Sequence, residues 1–547
     1  MMCWALAAAL LAWCMPVLSL AAEETTLDLA DGSITITETG FTQQGRETPH
    51  NGAYRIVQSG GQTTNSILVQ SGSITLTLEN VDMAEGMDKT PPVAVESGAK
   101  LTLALAGANA LTTNSGMSSA VDAVHVPEGA QLTVKGEGRL TVNTRGGACL
   151  GASRGKSGVI RIEGGVIEAT NRDGAAIGGG YSAAAGPVYI TGGQVTAHGY
   201  GNTAAIGGGG LDQAGAELIE ISGGTVYAEA HGGASAAIGA GASGPFGVIR
   251  VTGGDVTAVA GDRYAVGSGM YKKTDTAEGQ IELLGGTLTT RGAVGGSNWD
   301  ASQHLTVDGT VWYGDAQTAE TMAEVRTPRG IFFNGDEGTV YGAMQLTDDL
   351  TVEEHQTLTL PAGTQLLENG HRLTVLGKVA GEGTVRLDTA ALRLSAKAND
   401  PLKPGDTIAL TATLDRALAD AEIQFYVNGQ SIGMPAPVGE DGQTAETTYL
   451  IRTPSTYTFT AKMTYHGSMV ESEKTIELTL AQEGGTPAGT AEAAPVQSQP
   501  PMPTQTAPDT PILSTGDANV PMWVLWAVLG AAVLGGGVVL YQKYRRR

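Results

Sequence analysis

The chain has 547 residues, of which 79 are Gly and only 6 each are Phe and Trp, and its net charge is −23. At this length a single compact domain is not expected, and the few aromatic side chains argue against a thick globular core. The hydrophobic fraction of 41% excludes wholesale disorder. The acidic surface disfavours binding to nucleic acid.

The N-terminal segment, residues 1–21, is apolar, carries no charged side chain and ends in the small-x-small pattern "SLA". This pattern predicts a secretory signal peptide, although the segment lacks the usual Lys or Arg near its start. Two of the three cysteines, Cys3 and Cys14, lie here, so Cys149 is alone in the rest of the chain. We expect Cys149 to be a small buried residue that forms no intramolecular disulfide.

Residues 22–390 are predicted to form a right-handed parallel β-helix, because short alternating segments recur around Gly-Gly pairs. The pairs begin at Gly164, Gly192, Gly223, Gly253 and Gly285, with spacings of 28, 31, 30 and 32 residues. A period near thirty that drifts by a few residues is typical of a solenoid with loops of varying length. Each period contains three short segments, and the two that flank Gly-Gly alternate apolar and polar residues as strands do.

Parallel stacking of equivalent strands places their inward side chains in columns. One predicted column is Ile160, Val188, Ile219, Ile249 and Ile281; the next is Ile162, Ile190, Ile221, Val251 and Leu283. A narrow column follows, with Ala169, Ala197, Ala228, Ala258 and Thr290. The recurring "AAIGGG" motif is interpreted as an apolar residue followed by a bend, since Gly adopts positive φ without strain.

The phrases "AAIGGG", "ITGGQVTA" and "VPEGAQLTVKGEGRLTV" resemble the β-helical surface proteins of clostridia and related gut Firmicutes, often described as carbohydrate-binding domain-containing proteins. The resemblance covers about two thirds of the chain. It implies an extracellular protein that faces glycans, and it points to no particular binding residues.

Two further segments follow the predicted β-helix. Residues 391–480 contain about seven alternating strands with polar turns, which predicts a β-sandwich. Here "QFYVNGQSIG" and "STYTFTAKMTY" resemble bacterial immunoglobulin-like repeats, which implies a spacer module. Residues 481–520 are rich in Pro, Thr, Ala and Gln and are expected to form a disordered linker.

The C-terminal segment 521–541 is apolar, has the length of a bilayer span and is predicted to be one transmembrane helix. The basic tail, residues 542–547, is expected in the cytoplasm, which places the rest of the chain outside the cell. Without this tail, the part of the chain after residue 21 carries a net charge of about −27. We therefore predict a single-pass protein at the surface of a Gram-positive bacterium.

The stretch "PILSTGD" just before the span resembles the sortase sorting signal of Gram-positive cell-wall proteins, whose pattern is Leu-Pro-x-Thr-Gly. Thr515 and Gly516 match this pattern, whereas Leu513 stands where Pro is required. Membrane retention is therefore the prediction, and attachment to the cell wall is the alternative.

Any catalytic or metal-binding side chains would lie on the predicted outer surface, because the inward positions are apolar. The outward stripe Arg161, Tyr189, Glu220, Arg250 and Glu282 predicts a ladder of ion pairs, with no pair of carboxylates spaced as in glycosidases. The 8 His residues show no metal-binding spacing, so we expect no metal or other cofactor. Weak calcium binding by single acidic residues at turns remains open.

Three functions are compatible with these features. The first is a non-enzymatic, glycan-binding or adhesive surface protein, which we expect to be a monomer. The second is a structural stalk that organises the cell wall, and the third is a polysaccharide lyase or hydrolase. For the first function the partner is an extracellular polysaccharide or a host or cell-wall glycan. Its candidate contact residues are Tyr189, Tyr227, Tyr264, Arg161 and Arg250.

Overall fold

The computed structural model describes residues 24–210, 215–242, 244–269, 279–296 and 299–481. The predicted signal peptide, almost all of the linker, the sorting-like sequence at Leu513, Thr515 and Gly516, and the predicted span lie outside these residues. Within the described ranges, no helix is long and apolar enough to cross a membrane.

The main β-helix is built from parallel strands on three faces, and each strand pairs with its counterparts one coil before and one coil after. Face 1 contains Thr25–Asp28, Tyr54–Val57, Ser73–Glu79, Lys100–Ala106, Gln131–Gly136, Val159–Ile162, Val188–Ile190 and Ala216–Ile221. Face 2 contains Asp82–Ala84, Ala108–Thr112, Arg139–Thr144, Val166–Asn171, Gln194–Gly199 and Thr225–Ala230. Face 3 contains Ile34–Thr37, Ile67–Val69, Val93–Val95, Val124–His125, Leu150–Ala152, Ile177–Gly179, Ile206–Gly207 and Ile238–Gly239.

Two long strands, Phe246–Gly267 and Gln280–Gly295, each run through all three faces, and Leu305–Gly314 continues faces 1 and 2. Face 3 thus has ten successive strands, so the main β-helix has about ten turns. At the N-terminal end, Gly40–Gln43 and Arg46–Pro49 add an antiparallel extension beside Ile34–Thr37.

The predicted columns are confirmed. Val188 pairs with Ile160 and Ile219, and both ends of the column continue in register to Ile249 and Ile281. These five side chains are at most 1% exposed. Because one modest side chain fills each inward position, the interior excludes water without the large aromatic residues that a globular core uses.

Glycines in this fold have two different roles. The second Gly of each Gly-Gly pair has positive φ and turns the chain from face 1 to face 2, as at Gly193 (φ 84°). The Gly after Ile in "AAIGGG" instead lies inside the face 3 ladder, as at Gly207 (φ 133°). A Cβ added there would lie 1.8 Å from the Gly239 carbonyl oxygen. The interpretation of "AAIGGG" as an apolar residue followed by a simple bend is therefore corrected. The Gly after Ile lies within the ladder, where the absence of a Cβ allows neighbouring coils to approach closely.

The all-β prediction also needs a correction. Two α-helices, Ala301–His304 and Ala316–Glu324, interrupt the segment that was assigned entirely to the β-helix. The longer helix begins with a capping box, in which the Asp315 carboxylate accepts hydrogen bonds from the backbone N–H groups of Gln317 and Thr318. Two short 3-10 helices, Leu29–Asp31 and Met117–Ser119, lie in loops.

A second, narrower solenoid follows. Arg329–Asn334 and Glu337–Tyr341 form an antiparallel pair, after which parallel stacking resumes with shorter coils. Three ladders make up this solenoid: Glu337–Tyr341 with Thr357–Thr359 and Lys378–Ala380; Ala343–Gln345 with Gln365–Leu367 and Thr384–Arg386; and Leu350–Val352 with Leu373–Val375.

Two antiparallel sheets complete the described chain. One consists of Leu392–Lys397, Thr407–Leu414 and Thr444–Leu450; the other of Glu422–Val427, Gln430–Pro437, Ser455–Tyr465, Ser468–Glu471 and Ile476–Leu480. Buried residues of both sheets, including Leu410 and Phe425, share one hydrophobic cluster with the second solenoid. The immunoglobulin-like assignment of this region remains a prediction.

Candidate functional site

The five candidate glycan contacts lie in three separate places. Arg161, Tyr189 and Arg250 occupy outward positions on face 1, as predicted. Tyr227 occupies an outward position on face 2. Tyr264 lies next to the start of a face 3 ladder, one coil from Ala293. The fold therefore does not bring these five side chains into one site.

On face 1 most charged side chains of the outward stripe already contact a neighbouring side chain in the same stripe. The Arg161 guanidinium lies 4.0 Å from the ring centroid of Tyr189, at the distance of a cation–π contact. Arg250 donates hydrogen bonds to Glu282 (2.5 Å) and to Glu220 (3.0 Å), which raise the pKa of its guanidinium. The predicted ladder is confirmed, and its partly exposed pairs stabilise coil stacking modestly.

The tryptophans that follow the repeat do not offer open stacking surfaces. Trp312 is fully buried and its indole N–H donates to the Thr290 hydroxyl, so its ring cannot stack on a sugar. Trp299 is partly buried and donates to the Gly279 carbonyl oxygen. Tyr264 and Trp299 line a small cavity of about 220 Å³ beside the helix Ala316–Glu324.

A larger concave surface crosses face 3 in the first coils. This groove has a volume of about 790 Å³. Four outward residues of successive face 3 strands line it: Thr35, Leu68, Ala94 and His125. With coils about 4.8 Å apart, the row from Thr35 to His125 spans roughly 14 Å. The outward side chains at Leu68 and Ala94 give the groove an apolar stretch between its polar ends.

One polar end of the groove is organised by a buried carboxylate. Asp122 is 2% exposed and accepts a hydrogen bond from His125 Nδ1 at 2.7 Å. Its oxygens also accept hydrogen bonds from the Ala148 N–H (2.7 Å) and the Ser153 N–H (3.1 Å). These contacts fix the orientation of the imidazole, so that Nε2 of His125 is the nitrogen left for another partner.

Three further charged side chains line the groove: Lys89, Glu96 and Arg154. Lys89 donates to the Ser115 hydroxyl at 2.7 Å and lies 3.5 Å from Glu85. Glu96 and Arg154 are exposed. In the part of the chain that the structure describes, Arg154 makes no hydrogen bond or ion pair. The groove thus combines an apolar stretch with free and anchored polar groups, which is the usual composition of a small-molecule site.

A second depression of about 750 Å³ lies near the end of the main β-helix, between Leu305–Asp308 and Arg326–Arg329. Of the two arginines that line it, Arg326 and Arg329, the second is already paired with Asp308. This depression has less apolar lining than the face 3 groove.

The structure also brings together side chains that are far apart in the sequence and show no metal-binding spacing there. His198, Glu229 and His231 lie at neighbouring positions on the outside of face 2. The signal was present in the repeat: His198 and Glu229 both lie six residues after the first Gly of their Gly-Gly pair. Tyr200 and His231 both lie eight residues after it. A search for sequential spacing could not find them, because the neighbours are one coil apart.

Comparison with known proteins supports the β-helical fold. The family described as Beta helix repeat matches residues 160–181, 188–210 and 219–242. Each match begins in a face 1 strand and ends at or just after the next face 3 strand, so each covers about one coil. No curated protein matches the chain. The chain is thus a β-helical protein that is similar over these three coils to that family.

Proposed function

We propose that the protein is a non-catalytic, extracellular glycan-binding protein that holds a polysaccharide in the face 3 groove. The observation that supports this most directly is the mixed lining of the groove. A sugar ring has apolar C–H faces, which suit Leu68 and Ala94, and hydroxyl groups, which suit His125, Arg154 and Glu96. Concave sites with an apolar surface and a few placed polar groups are where ligands generally bind.

The proposed location at the cell surface rests on the two ends of the sequence. The signal-like segment 1–21 and the apolar segment 521–541 would export the β-helix and hold it at the membrane, or at the wall if a sortase accepts "ILSTG". A net charge of about −27 for the exported part favours a neutral glycan over an anionic one. Display of many copies on one cell would raise the avidity of individually weak sites.

A second candidate function, a polysaccharide lyase, is favoured by the Asp122–His125 pair. In such a reaction His125 Nε2 would remove the proton α to a sugar carboxylate. The electron pair would form a carbon–carbon double bond, and the glycosidic oxygen on the β carbon would leave and take up a proton from water. The same groove contains Arg154, a cation able to pair with a carboxylate. This alternative requires an anionic substrate and produces an unsaturated sugar.

The experiment is incubation of the purified protein with neutral and anionic plant, mucin and microbial glycans, measuring retention and product release. We expect retention of a neutral glycan with no new reducing ends and no ultraviolet-absorbing product. Unsaturated products that disappear in His125→Ala would establish the lyase instead. Absence of retention on every glycan, with and without calcium, would support the structural-stalk function.

Variants locate the binding surface. Arg154→Ala should weaken retention by about ten- to a hundredfold, because a hydrogen bond to a charged group contributes roughly 1.5–3 kcal/mol. Leu68→Asp should weaken it further by placing a charge in the apolar stretch. The matched control is Arg161→Ala on face 1, which should bind as the wild type does. Loss of binding in Arg161→Ala or Tyr189→Ala, with the groove variants unaffected, would place the site on face 1.

A further inference from the structure

Three metal-ligating side chains converge on the outside of face 2. His198 lies in the strand Gln194–Gly199 and pairs in register with Glu229 of Thr225–Ala230, and His231 follows that strand directly. His198 Nδ1 is 3.3 Å from Glu229 Oε2, and His231 Nε2 is 3.4 Å from the same oxygen. The two ring nitrogens are 3.4 Å apart. The three atoms form a nearly equilateral triangle.

The size of this triangle suits a shared ion better than direct hydrogen bonds. Nitrogen–oxygen hydrogen bonds are usually 2.7–3.2 Å long, which is shorter than all three separations. A tetrahedral zinc ion with bonds of about 2.0–2.1 Å holds neighbouring ligand atoms about 3.3–3.4 Å apart. One ion seated just above the plane of the triangle would therefore reach all three atoms at ordinary bond lengths without movement of the backbone.

Neighbouring aromatic residues hold two of the three side chains in place. The Tyr227 hydroxyl donates a hydrogen bond of 3.0 Å to Glu229 Oε2. The Tyr200 ring stacks on the His231 imidazole, with centroids 4.0 Å apart and planes inclined by 8°. Contacts of this kind orient metal ligands before the ion arrives, and they raise affinity by lowering the entropy lost on binding. The role of Tyr227 is thus that of a positioning residue.

We propose that His198, Glu229 and His231 bind one divalent transition-metal ion, with zinc as the favoured occupant. Two imidazole nitrogens and one carboxylate oxygen form a donor set typical of zinc, whereas calcium prefers oxygen ligands alone. The three side chains are between 24% and 31% exposed, so an ion can enter from solvent. A fourth coordination position stays open for water or for an oxygen of a bound molecule.

This site is separate from the proposed glycan groove, since it lies on face 2 and in coils that follow those lining the groove. Its ligands come from two adjacent coils, so the ion would link those coils. Failure of glycan binding would leave the metal proposal unaffected, and failure of metal binding would leave the glycan proposal unaffected.

The test is calorimetric titration of the full-length protein, without any histidine tag, with zinc chloride alone. We expect one saturable site per chain. His198→Gln, Glu229→Gln and His231→Gln should each abolish it. The matched control is His355→Gln, because His355 is an exposed histidine 3.5 Å from a single carboxylate, Asp336, and should not hold zinc. Tyr227→Phe keeps all three ligands and should weaken binding by about tenfold.

Cobalt(II) provides a spectroscopic readout of the same site. Intense visible d–d absorption that develops in the wild type and not in His198→Gln would support coordination by these residues. Zinc should also raise the melting temperature of the wild type and leave that of His198→Gln unchanged. Absence of saturable zinc binding, or binding that persists in all three ligand variants, would overturn the proposal. Each variant is first compared with the metal-free wild type in melting temperature, which separates ligand loss from misfolding.

Discussion

The main β-helix and the two C-terminal sheets place sequence neighbours in different ways. In the β-helix the partner of any strand residue lies one coil away, as Ile219 lies beside Val188 and Ile249. In the sheets the separation changes from pair to pair: Leu392 pairs with Leu414, while Glu422 pairs with Thr464. The neighbours on the outer surface of the β-helix can therefore be predicted by aligning the repeats. In the sheets, the pairing of residues depends on the length and geometry of each turn.

Ion pairs in the β-helix and at the base of the C-terminal sheets also differ in how deeply they are buried. On face 1, Arg250 lies between two glutamates in a partly exposed ladder. At the junction between the second solenoid and the sheets, the side chains of Arg416 and Glu368 are 2% and 0% exposed and lie 2.6 Å apart. Glu368 also accepts hydrogen bonds from Leu373 and Thr389, so the buried carboxylate is fully paired. Loss of a partner should therefore cost far more at the junction than on face 1.

The largest expected effect is in a β-helix column. Ile219→Asp places a carboxylate at a position that is 0% exposed and surrounded by aliphatic residues. The free energy of unfolding should fall by about 5 kcal/mol or more, because a buried carboxyl must be desolvated or protonated. Thr257→Asp at an outward position is the control and should cost less than about 1 kcal/mol. Equal melting temperatures for the two variants would contradict the inward assignment of Ile219.

The next effect is at the junction. Arg416→Ala leaves Glu368 buried without its cation and should lower the free energy of unfolding by about 3–5 kcal/mol. The control is Arg393→Ala, because Arg393 is 77% exposed and only 3.8 Å from Glu473. That variant should change stability by at most about 1 kcal/mol. Chemical denaturation measures both, and a similar loss in the two variants would show that burial does not distinguish these pairs.

A smaller effect is expected in the glycine column of face 3. Gly207→Ala combines positive φ with a clash against the Gly239 carbonyl oxygen, so it should cost about 2–4 kcal/mol. Gly261→Ala is the control, since an added Cβ there meets no atom within 4 Å. If Gly207→Ala melts at the wild-type temperature, the close approach of coils at this column is not required.

Acid should weaken the junction in two steps. Burial lowers the pKa of His466, whose carbonyl oxygen accepts the Val385 N–H. A lowered histidine pKa gives stability that is present above the unfolded value of about 6.5 and is lost as pH falls below it. Burial alone would raise the pKa of Asp415, but hydrogen bonds from Arg416 and Ala391 outweigh it and leave the pKa lowered.

The stability that Asp415 contributes is therefore present above its unfolded pKa of about 3.9 and is lost as pH falls further. Melting temperatures between pH 7 and pH 3 measure both steps. His466→Gln should reduce the loss between pH 7 and pH 5 and leave the step below pH 4 in place. If the pH dependence of the melting temperature is unchanged in His466→Gln, this histidine does not cause the loss of stability between pH 7 and pH 5.

The smallest expected effect concerns the chemical reactivity of one cysteine thiol and involves no change in stability. Cys149 is buried, contacts the Thr144 hydroxyl at 3.2 Å, and has its thiol pKa raised by burial to about 12. It should not react with a maleimide in the native protein and should react after denaturation. Peptide mapping assigns the label, because Cys3 and Cys14 are present in the uncleaved chain. Rapid native labelling of Cys149 would show that its coil opens locally.

The columns, the face 1 ladder and the two outward tyrosines could be predicted because each repeats with the coil. The helix Ala316–Glu324 was missed, since nine residues among strands give little periodicity, although Asp315 and Thr318 form its capping box. The groove could not be predicted from the repeat, because it depends on loops that differ from coil to coil. The buried Arg416–Glu368 pair joins positions 48 residues apart and has no signal in either local pattern.

Hydrogen exchange with and without the retained glycan tests the central proposal most directly, because it compares the two regions in one measurement. We expect slower exchange in the presence of glycan in the segments around Leu68, Ala94 and His125, and no change in residues 392–480. Protection confined to the C-terminal sheets or to face 1, with the groove segments unchanged, would contradict the proposal that the face 3 groove binds the glycan.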